Sequence, residues 1–174
     1  MKLIKLTQGQ FAQVDDEDFE FLNQWKWYAK KHGHTFYAIR ADYSSGKMKN
    51  VRMHRVILGL APDDRRISDH IDHCGYNNQR VNLRICTYAQ NCMNSQKQKR
   101  ATSSKYKGVT INISKWFSKE KQQMVYYEPK FIAAIRVNGK LLSLGSFSSE
   151  IEAARKYNEG VLKYFGEFGV LNDV

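Results

Sequence analysis

Apolar residues recur along this chain with changing period, and each change marks a different element. In 15–25 an acidic start precedes Phe19, Leu22 and Trp25 at helical spacing, which predicts a short helix. Residues 27–29, 35–42 and 50–54 alternate apolar and polar side chains, as half-buried strands do. Lys31-His32-Gly33-His34 and Ser44-Ser45-Gly46-Lys47 supply the turns between them. Further along, 106–113, 131–137 and 141–144 read as strands, the last two joined by the hairpin signal Asn138-Gly139. Ser149-Glu150-Ile151-Glu152 has capping-box form. The helix it opens carries Ile151, Ala154, Tyr157, Val161 and Phe165 on one face and stops at Gly166. The pattern as a whole predicts an α+β protein.

Between these patterned regions the periodicity fails. Residues 61–94 are polar and loop-like after the turn Pro62-Asp63-Asp64. Residues 95–104, Ser-Gln-Lys-Gln-Lys-Arg-Ala-Thr-Ser-Ser, have no apolar period and read as a basic linker. The expected organisation is an α+β region over 1–60, a polar core over 61–94, the linker, and a sheet-and-helix unit over 105–174.

Charge changes this picture more than length does. The net charge of +11 and pI near 9.6 point to a polyanionic partner. The charge is concentrated: between Ser95 and Lys140 eleven basic residues face only Glu120 and Glu128, a net +9. Cys74, Cys86 and Cys92 are odd in number and lack Cys-x-x-Cys spacing, which argues against a disulfide framework, a disulfide-linked partner or a zinc ribbon. A reducing cytoplasm fits such cysteines. The start of the chain lacks a signal-peptide pattern, and its longest apolar run, 56–61, is too short to span a membrane.

The polar core holds the candidate chemistry. Asp69-His70-Ile71-Asp72, Asn77-Asn78, Asn82-Leu83-Arg84 and Asn91 lie within 23 residues. Cleavage of a phosphodiester needs an activated water, charge stabilisation and alignment. His70 suits the general base, because imidazole titrates near neutral pH. Asp69 suits a hard cation, with the amide oxygen of Asn91 as a second, neutral ligand. At the end of a strand Asp69 and His70 would diverge to opposite faces. Asn82 could tie the loop or orient His70. His32, His34 and His73 read as turn residues, His54 as a structural hydrogen-bonding residue and Cys86 as core.

These residues, with Met53-His54-Arg55 upstream and Gln90-Asn91 downstream, resemble the Asn-terminated variant of the HNH nucleases, in particular phage-type HNH homing endonucleases. The resemblance implies a ββα-metal fold around one divalent ion, magnesium first and manganese second. It carries the general base to His70, metal ligation to Asp69 and Asn91, and loop ordering to Asn82. His73-Cys74-Gly75 departs from the Gly-Asp turn usual in that family. Asn at 91 in place of His disfavours a tight zinc site. For a phage-encoded enzyme the host cytoplasm is the expected location.

A second resemblance covers 105–172. Tyr106-Lys107-Gly108-Val109, Ala134-Ile135-Arg136, Leu144-Gly145-Ser146-Phe147, Glu152-Ala153-Ala154-Arg155-Lys156-Tyr157 and Leu171-Asn172 are similar to the AP2 DNA-binding domain. It implies a three-stranded antiparallel sheet that enters the major groove with one helix behind it. Lys107, Arg136 and Lys140 are then candidate contacts, Arg reading guanine and Lys touching phosphate, and Lys97, Lys99, Arg100 and Lys105 are further candidate DNA-binding residues. The stretch 112–130, with Trp116, Phe117 and Tyr126-Tyr127, makes the first hairpin longer than the family's. Together the two resemblances imply a metal-dependent, site-recognising endonuclease of double-stranded DNA that nicks or cuts. Its one active site suggests a monomer that cuts one strand per event, a double-strand break needing a dimer or a second strike. The rival readings are a non-catalytic DNA-binding regulator and an RNA-processing enzyme. The narrow A-form groove disfavours the latter.

Overall fold

The computed structural model describes residues 1–174 other than His34, Ser45, Pro62 and 98–102. The expected contacts Lys99 and Arg100, and the turn positions His34, Ser45 and Pro62, lie outside the described residues. Small antiparallel sheets and a few helices make the chain α+β, in two compact units, Met1–Asn91 and Cys92–Val174.

The first unit opens with a hairpin that the sequence pattern did not announce. Strands β1 (Lys2–Lys5) and β2 (Phe11–Val14) pair antiparallel. Their alternation is real, because Ile4, Ala12 and Val14 are buried. Each run is only four residues, too short for a period of two to stand out. Helix α1 (Asp16–Leu22) follows, with Asp16, Glu17 and Asp18 in its positive first turn. Strands β3 (Tyr28–His32), β4 (Thr35–Asp42) and β5 (Lys49–Arg52) form a meander.

The strand expected over 50–54 ends at Arg52, and helix α2 (Met53–Ile57) begins there. Met53, His54 and Ile57 are all buried. Consecutive residues cannot share one face of a strand, whereas positions one and four apart can lie on one side of a helix. Strand β6 (Ile67–His70) pairs antiparallel with β7 (Leu83–Cys86), and helix α3 (Tyr88–Met93) comes next. One core joins Ile4, Val14, Leu22, Trp27, Met53 and Leu83, so 1–60 and the polar cluster bury their apolar groups together. The Trp27 indole satisfies its N–H on the Leu22 carbonyl at 2.8 Å.

The second unit has β8 (Val109–Asn112), a small hairpin of β9 (Lys115–Ser118) and β10 (Gln123–Tyr126), then β11 (Lys130–Val137), β12 (Lys140–Phe147) and helix α4 (Glu150–Phe165). β11 is central between β12 and β8. Asn138 and Gly139 both take positive φ, 49° and 79°, as the tight turn between β11 and β12 requires. The Ser149 side chain caps α4 by accepting from the Glu152 N–H. Helix α4 lays Ala153, Ala154, Tyr157 and Val161 against Val109, Ala133 and Ile135. Ile151, expected on that face, is exposed, while Ala153 and Gly160 are buried in the contact. The reason is close approach: a Cβ on Gly160 would stand 2.7 Å from Leu144 Cδ1. The inner stripe therefore runs through Ala153, Ala154, Tyr157, Gly160 and Val161, with Ile151 outside it.

Candidate active site

The end of β6 places two adjacent side chains on different sides of the backbone. Asp69 faces its cross-strand partner Arg84, whose Nη2 and Nε lie 2.9 and 3.1 Å from Oδ2. Both side chains are largely buried. His70 turns the other way, into an aromatic cluster. Its ring stands 4.7 Å from the His54 ring in a T-shaped contact, and 5.6 Å from Tyr37. Tyr37 also lies 5.4 Å from His54.

Hydrogen bonding orients this imidazole. His70 Nε2 is 3.2 Å from Asn78 Oδ1. The Asn78 amide nitrogen donates to the Tyr76 carbonyl at 3.1 Å, which assigns the oxygen to the histidine side. A neutral His70 therefore carries its proton on Nε2, and the ring's lone pair is on Nδ1. Asn78 is itself fully buried, and its backbone N–H donates to Gln13 O at 2.8 Å. The N-terminal hairpin thus holds the residue that holds the histidine.

The loop 71–82 is tied by amides and one carboxylate. Asn82 Nδ2 donates to Asp72 Oδ1 at 2.9 Å and to Asn77 O at 2.8 Å, and its Oδ1 accepts from Asp72 N at 3.0 Å. Asp72 also accepts from Cys74 N and Asn77 Nδ2, both at 2.8 Å. His73 has a positive φ of 64°, as a turn residue does. Gly75 passes so near β4 that a Cβ would sit 2.3 Å from Phe36 O, and its N–H donates to Thr35 Oγ1 at 2.9 Å. Arg80 anchors the loop's far end on Asp18, with Nη2 and Nε at 2.6 and 2.9 Å.

Burial sets the electrostatics. Burial drives the His54 pKa down to about 3, and repulsion from His70 when that ring is protonated, and from Arg52 and Arg55, adds to it. Burial also lowers His70, against the opposing pull of Asn78, Asp72 and Asp69. Both rings are therefore neutral at pH 7. Burial of Asp72 favours its neutral form, but the bonds from Asn77, Cys74 and Asn82 outweigh it and hold the carboxyl below its usual range. Tyr37 is raised, chiefly by burial. His54 Nδ1 is a buried nitrogen without a hydrogen-bond partner.

The sequence-predicted residues lie on different elements. Asp69 and His70 end β6, Asn82 closes the loop, and Asn91 is half-buried on α3, the element following β7. Tyr37 has no candidate role in the sequence, and Asn78 stands in the candidate cluster without a role of its own. Tyr37 comes from a strand over thirty residues upstream and carries no local signal. Asn78 stands eight residues after His70 in the Asn-Asn pair, which was the available hint. In the second unit, Lys97 Nζ donates to Tyr106 O at 2.9 Å, and Lys107 Nζ to Ser95 O and Met93 O. These two ammonium groups thus serve backbone carbonyls. Arg136 and Lys140 are exposed at the β11–β12 end, with Arg136 Nη1 donating to Gly139 O at 2.8 Å, and the Lys105 ammonium lies over the Tyr106 ring at 4.8 Å.

A β-hairpin followed by a helix, with an Asp-His pair ending its first strand, is the local frame of the candidate site. The chain is 32% identical over 177 aligned positions to an uncharacterized HNH endonuclease of Acanthamoeba polyphaga mimivirus. The alignment covers 99% of this chain and 80% of that relative. The chain belongs to the HNH endonuclease family. No family model matches it, and no solved structure does. Its three cysteines are free, and among the described residues no helix is long and apolar enough to cross a membrane.

Proposed function

We propose that this protein is a metal-dependent, site-recognising endonuclease of double-stranded DNA, of homing type, working in the cytoplasm of a host cell. The observation that carries the reading is the divergence of Asp69 and His70 at the end of β6, with His70 neutral and oriented by Asn78. His70 takes a proton from water through Nδ1, the atom left with the lone pair. Asn78 keeps that atom aimed, and Tyr37 and His54 pack the ring so that it does not rotate. Asn82 holds the loop that carries Asp72 and Asn78.

Asp69 and Asn91 would hold one divalent cation, magnesium by preference. Among the described residues no three His, Cys, Asp or Glu side chains gather as a full cage. One carboxylate and one amide oxygen suit a hard cation that keeps waters and phosphate oxygens in its shell. When bound, that ion would offset the negative charge that builds on the non-bridging phosphate oxygens and on the leaving oxygen. Arg84 is the competitor for Asp69, so cation binding must share or displace its guanidinium.

The second unit is proposed as an AP2-like reader, its three-stranded sheet meeting the major groove through Arg136 and Lys140, with Lys105 on phosphate. Lys97 and Lys107 act one step back, ordering the segment that leads into β8. The organisation of the chain is then a nuclease core, a basic linker and a reader. With one site per chain, a monomer nicks, and a double-strand break takes a second event.

The test is incubation of the purified full chain with its own flanking genomic DNA, with Mg2+ and with EDTA. Site-specific nicks or breaks that appear only with Mg2+ are expected. Tight binding without cleavage in any divalent cation would show a non-catalytic regulator instead.

A further inference from the structure

The β9–β10 hairpin is an outgrowth of the β8–β11 ladder. That ladder closes at the pair Asn112 and Lys130, and the hairpin occupies the residues between them. Its register pairs Phe117 with Met124, Trp116 with Val125 and Lys115 with Tyr126. Cross-strand partners share a face and neighbours alternate. One face therefore presents Phe117, Met124 and Tyr126, and the other Trp116, Val125 and Tyr127. The rings are not buried: Trp116 is 48% exposed, Phe117 52%, Tyr126 63% and Tyr127 58%. None of them joins the core that α4 makes with the sheet.

A two-stranded ribbon with aromatic rings on both faces and no covering layer is marginal in water. Its rings gain by stacking on something flat. Charge selects what that is. Lys115, Lys119 and Lys121 lie within the hairpin and Lys130 just beyond it, against Glu120 and Glu128. Lys119 and Lys121 are exposed in the turn, which is closed by Gln122 Nε2 to Lys119 O at 2.8 Å and Lys121 N to Ser118 Oγ at 3.2 Å. Aromatic platforms edged by ammonium groups are what a single nucleic-acid strand recognises: bases stack and phosphates pair. Bases inside an intact duplex already stack on each other and do not offer their faces.

We propose that the β9–β10 hairpin binds unpaired DNA bases, through stacking on Trp116, Phe117 and Tyr126, and so holds a strand of an opened duplex. The inference rests on the DNA-endonuclease reading and adds to it a second mode of DNA contact, separate from groove readout.

The test uses the full chain in EDTA, with a short fluorescent oligothymidylate and a fully paired duplex of the same length. Wild-type protein should bind the single strand with quenching of tryptophan emission. Combined Trp116→Ala, Phe117→Ala and Tyr126→Ala should weaken that binding by about tenfold or more, with a smaller effect on the paired duplex. Trp116→Phe in the otherwise native chain should retain most of the affinity, because any ring can stack. Equal oligothymidylate binding by wild type and the triple variant would overturn the proposal. So would loss of a protein dimer in sedimentation on removing the rings, which would mean that a second copy covers them. Cleavage of duplex by wild type with Mg2+ is measured in parallel. If wild type cuts duplex but the hairpin variant binds single strands unchanged, only the hairpin inference falls. If wild type cuts nothing, the nuclease reading falls on its own.

Discussion

Arg84 lies directly across the β6–β7 ladder from Asp69 and grips Oδ2 of the proposed metal ligand through two nitrogens, at 2.9 and 3.1 Å. A buried carboxylate is tolerated there because a guanidinium compensates it. A divalent cation would offer the same compensation from another direction. Removing the arginine should therefore make the fold depend on the cation.

Arg84→Met should lose about 3–5 kcal/mol without divalent ions, the usual cost of stranding a buried charge. Saturating Mg2+ should raise its melting temperature more than that of wild type. Calorimetry with and without Mg2+ measures this directly. An equal response in both proteins would mean that Asp69 does not meet the cation.

His70→Ala should lose cleavage by roughly 10²–10⁴ while binding DNA as before. Asn78→Ala should lower kcat in the same direction, because the ring is then free to turn. Single-turnover cleavage and a parallel binding assay separate the effects. A His70→Ala protein that cuts at wild-type speed removes the base assignment.

The buried imidazoles make stability fall on the acid side. His54 is held at about 3 in the fold against an ordinary value of 6.5, so the unfolded chain binds the extra proton first. Its contribution is present above the unfolded value and is lost as pH falls from there toward the folded one. Between pH 7 and pH 5 the loss from His54 should be about 2 kcal/mol. His70 shifts the same way and adds to it, whereas the lowered carboxylate of Asp72 begins to matter only further down. Urea unfolding at the two pH values checks this, with His54→Phe expected to flatten the dependence. A wild-type protein equally stable at both values would contradict neutral burial.

DNA binding should weaken steeply with salt, since the +9 stretch from Ser95 to Lys140 displaces counterions from the duplex. Arg136→Gln and Lys140→Gln should each reduce the slope of log K against log salt by roughly one. A slope near zero in the native chain would rule out the electrostatic reading.

Local pattern determined much by itself: helices α1 and α4, the β11–β12 hairpin at Asn138-Gly139, and the Asp69-His70 pair with its amides at fixed intervals. Those features rest on interactions within a few residues, which is what periodicity, caps and turn chemistry record. The tertiary structure decided the rest. The β1–β2 hairpin is too short to announce itself, yet its Gln13 carbonyl anchors Asn78. His54 and Tyr37 reach His70 from α2 and β4, and their burial sets the protonation of the site. Arg84 becomes the partner of Asp69 only through the β6–β7 register. The inner face of α4 follows Ala153 and Gly160 rather than Ile151, because sheet and helix approach where side chains are smallest. A sequence states which groups a chain carries and what its neighbours along the backbone allow. Which distant group desolvates, orients or neutralises another depends on packing, because those forces act across a few ångströms of space whatever the separation along the chain.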